Sequence, residues 1–235
     1  MTVYLRHHRL RLALHALRTA PGATLLLLHG LGERSPATLP REYAAWPGSV
    51  HALDFTGHGG SDIPRGGGYS CEFLMADADI ALAHLGPCTV AGRGLGGYVA
   101  LMLAGARPAD VRGAIVCDGP GLAGGGTAVR SPYIPCVDTT QPAPPDPFAI
   151  AELANDVRPP SYAANFAMLA SQHSELAAPL SICARERPEW LVAVMELLSL
   201  APVELGHALR EYAAPGAAAD PADPADGDAA SGRAA

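Results

Sequence analysis

Apolar residues along the chain gather in short runs separated by helix-length stretches. Val3 to Leu12, Ala23 to His29, Val50 to Phe55, Cys88 to Ala91, Gly113 to Cys117 and Leu180 to Ala184 read as strands. Strands alternating with helical patterns build a mostly parallel sheet flanked by helices, so the pattern predicts an α/β fold. Ala23 to Leu28 is apolar at every position except Thr24. That suits a central strand buried on both faces rather than a half-exposed one.

Between Asp118 and about Ser174 the chain turns Gly- and Pro-rich, through Gly124-Gly125-Gly126 and Pro142 to Pro147, before helical patterns over Pro147 to Val157 and Tyr162 to His173. This stretch reads as an excursion from the sheet, a short cap-like insertion over about 119–175. After Tyr212 the composition collapses into Ala, Asp, Pro and Gly, too little apolar surface to offset chain entropy. One folded domain over 1–213 and a disordered tail over 214–235 are therefore expected.

Composition narrows the function. With 235 residues, 49% apolar and 17% charged, the chain can bury a single core. A net charge of −7 leaves no basic face to neutralise phosphates, so nucleic acid is not an expected partner. All sixteen basic residues are arginine, which removes Schiff-base, pyridoxal-phosphate and P-loop chemistry, each of which needs a lysine.

Cys71, Cys88, Cys117, Cys136 and Cys183 show no C-x-x-C spacing and read as reduced thiols without assigned chemistry. Met1 to Leu17 is interrupted by arginine and histidine before any stretch reaches signal-peptide length, and no run approaches the roughly 20 apolar residues of a membrane span. A cytoplasmic protein with no membrane association is expected. His7 and His8 fall in an edge strand where neighbouring side chains face opposite ways, and no other cluster has ligand spacing, so neither a metal nor a cofactor is expected.

Three stretches carry the candidate chemistry. His29-Gly30-Leu31-Gly32 follows the buried strand, Asp54-Phe55-Thr56-Gly57-His58-Gly59-Gly60-Ser61-Asp62 follows the next one, and Val90-Ala91-Gly92-Arg93-Gly94-Leu95-Gly96-Gly97-Tyr98-Val99-Ala100-Leu101 reads as strand, sharp turn and helix. Their order resembles the α/β-hydrolase superfamily, with its H-G-x-G turn, its D-x-x-G-H-G-x-S loop and its G-x-S-x-G nucleophile elbow. The resemblance covers Ala23 to about Tyr212. Gly94 stands where the superfamily carries its catalytic serine.

The resemblance implies that Leu31 and Leu95 supply the two N–H groups of an oxyanion hole. It also implies an acid, either Asp118 at the end of its strand or Glu186 after the following one, and a base, His207, closing the last strand in Glu204-Leu205-Gly206-His207. A surface or helix-capping histidine is the alternative for His207. Asp54 and His58, set among glycines, read as residues that hold their loop together. Arg93, beside the vacated position, offers a cation to a carboxylate unless it pairs with an acid elsewhere.

Glycine has no atom with which to attack a carbonyl, so acyl-enzyme chemistry at residue 94 is excluded. The resulting expectation is a non-catalytic or divergent member that binds a small carbonyl- or carboxylate-containing ligand. A serine-independent hydrolase or lyase using His207 and Asp118 is one alternative. Dinucleotide binding at Gly92 to Gly97, which also reads G-x-G-x-x-G, is another.

Overall fold

The computed structural model describes residues 1–124, 143–154 and 158–214. Seven strands form one sheet: β1 (Thr2–His7), β2 (Leu10–Arg18), β3 (Leu25–Leu28), β4 (Val50–Leu53), β5 (Cys88–Arg93), β6 (Val111–Cys117) and β7 (Leu180–Ile182). They lie in the order β1-β2-β4-β3-β5-β6-β7. Only β1–β2 and β2–β4 pair antiparallel; the other neighbours are parallel. The expected α/β architecture is present, with β3 in the middle of the sheet.

Four consecutive leucines explain that position. Leu26 and Leu28 pack into the core on one face, and Leu25 and Leu27 into the core on the other. A strand that buries both faces must have neighbours on both edges and layers on both sides.

The first expected strand is in fact two. The chain reverses at His8 and Arg9 between β1 and β2, with His8 at a left-handed φ of 53°. Two-residue hairpins need such a conformation and usually announce it with Gly or Asn. Histidine gives no such signal.

On one face of the sheet α1 (Cys71–Leu85), α2 (Leu95–Ala106), α3 (Pro147–Ala154), α4 (Pro160–His173) and α5 (Glu189–Leu198) contribute to one core cluster, with α1, α2 and α4 lying against the strands. Every residue of α2 from Leu95 to Gly105 is buried, as its uniformly apolar and small side chains require. α1 begins at Ser70, whose hydroxyl accepts the N–H of Phe73 at 3.2 Å, a side-chain N-cap.

The other face is thinner. It carries α6 (Leu205–Ala213) and a three-residue 3-10 turn at Arg41–Tyr43, the only helical element in the β3–β4 connection. Parallel strands are usually joined by a helix that covers the sheet; here its place is partly open. Beyond β7 the sheet continues as a single bridge, Ile182 to Pro202, with Val203 N–H bonded to Ile182 O at 2.9 Å.

No helix among the described residues is long and apolar enough to cross a membrane. Apart from Ala214, the expected tail lies outside the described residues, as do residues 125–142 and 155–157 of the expected cap-like insertion.

Candidate functional site

Gly94 joins β5 to α2 with φ 57° and ψ −125°, a conformation that costs any residue with a side chain. Strand and helix meet so closely here that a Cβ on Gly96 would stand 2.6 Å from the carbonyl oxygens of both Leu28 and His29. The start of α2 is thereby seated on the end of β3. The strand, tight turn and helix read from the sequence are all in place.

The N–H groups of Leu31 and Leu95 converge on one oxygen, the carbonyl of Pro120, at 3.0 and 2.9 Å. By resemblance these two donors belong to the oxygen of a reacting carbonyl. In this chain they already hold a backbone carbonyl of their own fold. A Cβ at position 94 would collide with that same oxygen and stand 2.6 Å from the carbonyl carbon of Gly119.

The segment that brings Pro120 here is firmly held. Gly119, Pro120, Gly121 and Leu122 are buried, and the N–H of Gly94 donates to Cys117 O at 3.0 Å. Leu122 O accepts from Trp190 Nε1 at 3.0 Å and from Arg158 at 3.0 Å. Arg158 also reaches Gly121 O, and its guanidinium lies 4.9 Å from the ring centre of Tyr98. Glycines flank Pro120 because larger residues do not fit: a Cβ on Gly119 would lie 2.7 Å from Gly94 N, and one on Gly121 would lie 2.8 Å from Leu31 Cβ.

The two histidines of the motif stretches are structural ligands of the loops. His29 Nε2 accepts the N–H of Phe55 at 3.1 Å, with Nδ1 2.8 Å from Gly30 O. His58 Nε2 accepts the N–H of Gly32 at 3.3 Å, with Nδ1 3.1 Å from Thr56 O. Each ring therefore donates from Nδ1 and accepts at Nε2, the neutral form. Burial lowers the pKa of His29 to about 3, with the neighbouring His58 adding to the effect; burial likewise lowers that of His58.

Asp54 serves the same framework. Its carboxylate accepts Ser35 N–H at 2.6 Å and Gly60 N–H at 2.7 Å, and lies 2.9 Å from His15 Nε2. Burial alone would raise its pKa, but these partners hold it below the usual carboxylate value. The reading of Asp54 and His58 as loop-building residues matches this geometry.

The remaining candidates are dispersed. Asp118 accepts the N–H of Arg185 at 2.8 Å and of Glu186 at 2.9 Å, so its carboxylate ties the end of β6 to the turn after β7. His207 does not close a strand. It sits in the first turn of α6, its side chain 61% exposed and 3.8 Å from Glu211. No hydrogen bond or ion pair links His207 to Asp118 among the described residues. The strand expected before His207 shrinks to the bridge at Pro202, because the chain turns into a helix whose apolar positions Ala208, Leu209 and Tyr212 cover the sheet.

Arg93 is half exposed and pairs through Nε with Glu33 at 2.9 Å, the alternative that the sequence had left open for it. Glu33 also accepts the N–H of Gly30 at 2.9 Å. Both residues line a cavity of about 310 Å³ under the β3–β4 connection. Its buried lining includes Leu27, Ala52 and Ala91, and its more exposed lining includes Arg34, Arg93 and Asp118. Leu31, Leu95 and His207 are not among the lining residues.

Sequence reasoning missed Glu33 and Pro120. The sole trace of the latter was a Gly-Pro-Gly run directly after a strand, which reads equally well as an ordinary turn. Among the described residues no group of three or more His, Cys, Asp or Glu is placed to hold a metal ion.

Comparison with known proteins gives a consistent picture. Residues 19–159 match the family described as Serine aminopeptidase, S33. Among solved structures, the thioesterase domain from the curacin biosynthetic pathway is 17% identical, with a TM-score of 0.62 over 91% of this chain and 96% of that one. E-2-(acetamidomethylene)succinate hydrolase is 16% identical, with a TM-score of 0.57 over 86% and 88%. N-formylmaleamic acid deformylase from Pseudomonas putida is 15% identical, with a TM-score of 0.51 over 84% and 88%. At these identities the likeness concerns the fold alone. A search among proteins of curated function gave no significant match.

Proposed function

The chain belongs to the Serine aminopeptidase, S33 family of α/β hydrolases, and from that premise we propose that it is a non-catalytic member that binds a small ligand. The observation that carries this reading is the carbonyl of Pro120, bonded to both N–H groups that would otherwise stabilise an oxyanion. An enzyme of this fold needs an attacking atom and an unfilled pair of donors beside it. Here residue 94 has no attacking atom, and the donors are in use.

The same carbonyl weighs against both alternatives. A water-activating His207–Asp118 pair would develop negative charge at donors that are already satisfied, and the two side chains are not joined. A dinucleotide would bring its pyrophosphate to the start of α2, where Leu95 N–H is bonded to Pro120.

The ligand's place is the cavity under the β3–β4 connection. Its volume of about 310 Å³ is at the lower end of the range for small-molecule sites. Arg34 and the guanidinium donors of Arg93 that Glu33 does not take suit a carboxylate or carbonyl group, and Leu27, Ala52 and Ala91 suit an apolar body.

A panel of esters, lactones, epoxides and thioesters, together with a fluorophosphonate probe, tests the catalytic half of the reading. Wild-type protein and Gly94→Ser are both expected to be inert. Turnover by the wild type that His207→Ala or Asp118→Ala abolishes would overturn the proposal, as would esterase activity gained by Gly94→Ser. Calorimetric titration with small carboxylic acids, repeated on Arg93→Gln, tests the binding half.

A further inference from the structure

Cys117 is the last residue of β6, and Cys183 follows β7 by one position. The strands pair in parallel with Val116 opposite Ile182, so the next residue on each strand brings the two cysteines side by side. Both side chains pack against the core that α6 covers. Neighbouring strands run about 4.8 Å apart, within the Cα separation of about 4.4–6.8 Å that a disulfide spans. The N–H of Cys183 donates to Val116 O at 2.8 Å, which fixes the backbone of the pair.

Access is also built in. Both cysteines are half-buried rather than sealed, and Cys117 lines the cavity under the β3–β4 connection. Cys71 and Cys88, by contrast, are buried on the opposite face of the sheet.

We propose that Cys117 and Cys183 form a peroxide-responsive dithiol that closes to a disulfide, tying the end of β6 to the end of β7. The neighbouring Cys117 holds the Cys183 thiol below its usual pKa, and Cys183 together with burial pushes Cys117 up. Cys183 is therefore the attacking thiolate. It displaces hydroxide from hydrogen peroxide and becomes a sulfenic acid. The Cys117 sulfur then attacks that sulfenic sulfur, the S–S bond forms, and the oxygen leaves as water. Two thiols lose two electrons and two protons to one peroxide, which becomes two waters.

The linkage joins the strand ends that Asp118 already connects through the N–H groups of Arg185 and Glu186. Its formation changes the lining of the cavity at Cys117. A thiol reductant reverses it.

The test uses full-length Cys136→Ser protein treated with a few equivalents of hydrogen peroxide. The expected result is an intact-mass decrease of about 2 Da, for the two hydrogens lost, reversed by dithiothreitol. Trypsin should then release the 113–130 and 131–185 peptides joined through Cys117 and Cys183. In the additional Cys117→Ser variant, Cys183 should stop at the sulfenic acid and be trapped by dimedone. The proposal is overturned if no mass is lost, if the bond involves Cys71 or Cys88, or if Cys183 advances to the sulfinic acid without crosslinking.

Discussion

The carbonyl oxygen of Pro120 lies in the space that the first side-chain atom of residue 94 would fill, and Gly94 leaves that space open. Each residue thus accounts for the other. A serine at 94 and the carbonyl of Pro120 cannot occupy one volume, so glycine at residue 94 and the inward path of the Gly119–Pro120–Gly121 segment go together.

Gly94→Ala should therefore destabilise the fold by about 2–4 kcal/mol, the sum of left-handed backbone strain and a forced shift of buried backbone. Gly86 separates the two contributions, since it has φ 77° and no atom within 4 Å of an added Cβ. Gly86→Ala should cost only about 1–2 kcal/mol. Urea denaturation of both variants checks this; equal losses would mean that Pro120 does not press on residue 94.

Acid should weaken the fold before its carboxylates titrate. In the folded chain His29 stays neutral down to about 3, against 6.5 for an unperturbed ring, and His58 is shifted in the same direction. Between those values the unfolded chain binds a proton at residue 29 that the folded chain refuses. Stability from His29 is thus complete above about 6.5 and declines by about 1.4 kcal/mol per pH unit as the pH falls towards 3. Denaturation midpoints at pH 7.5 and 4.5 should show the decline, and His29→Gln should flatten it.

Asp118 and His207 should separate by role. Removing the Asp118 carboxylate leaves the N–H groups of Arg185 and Glu186 without their acceptor, so Asp118→Ala should cost about 1–2 kcal/mol. His207 is exposed on α6, and His207→Ala should change stability by less than about 0.5 kcal/mol. Thermal unfolding of the two variants distinguishes this from a coupled pair, in which both substitutions would cost alike.

Much of this was written locally. The leucines of β3 declared a strand buried on both sides, the glycines at 92 and 96 declared a close strand-to-helix approach, and the glycines around His58 declared a tight loop. The hairpin at His8 was not legible because its turn residue is atypical. The exposed His207 in the first turn of α6 fits the surface alternative that the sequence kept open beside a strand-ending base; Gly206-His207 could not decide between them, because that short motif takes its meaning from the strand before it.

The sequence alone determined the α/β architecture, the order of the landmarks and the glycine at residue 94, since periodicity and residue type are properties of neighbours along the chain. Tertiary structure alone decided that Pro120 meets the N–H groups of Leu31 and Leu95, that Arg93 meets Glu33, and that Asp118 and His207 stay unconnected. Every residue carries a carbonyl, so no pattern of side chains marks the one that the fold will deliver to a given pair of donors.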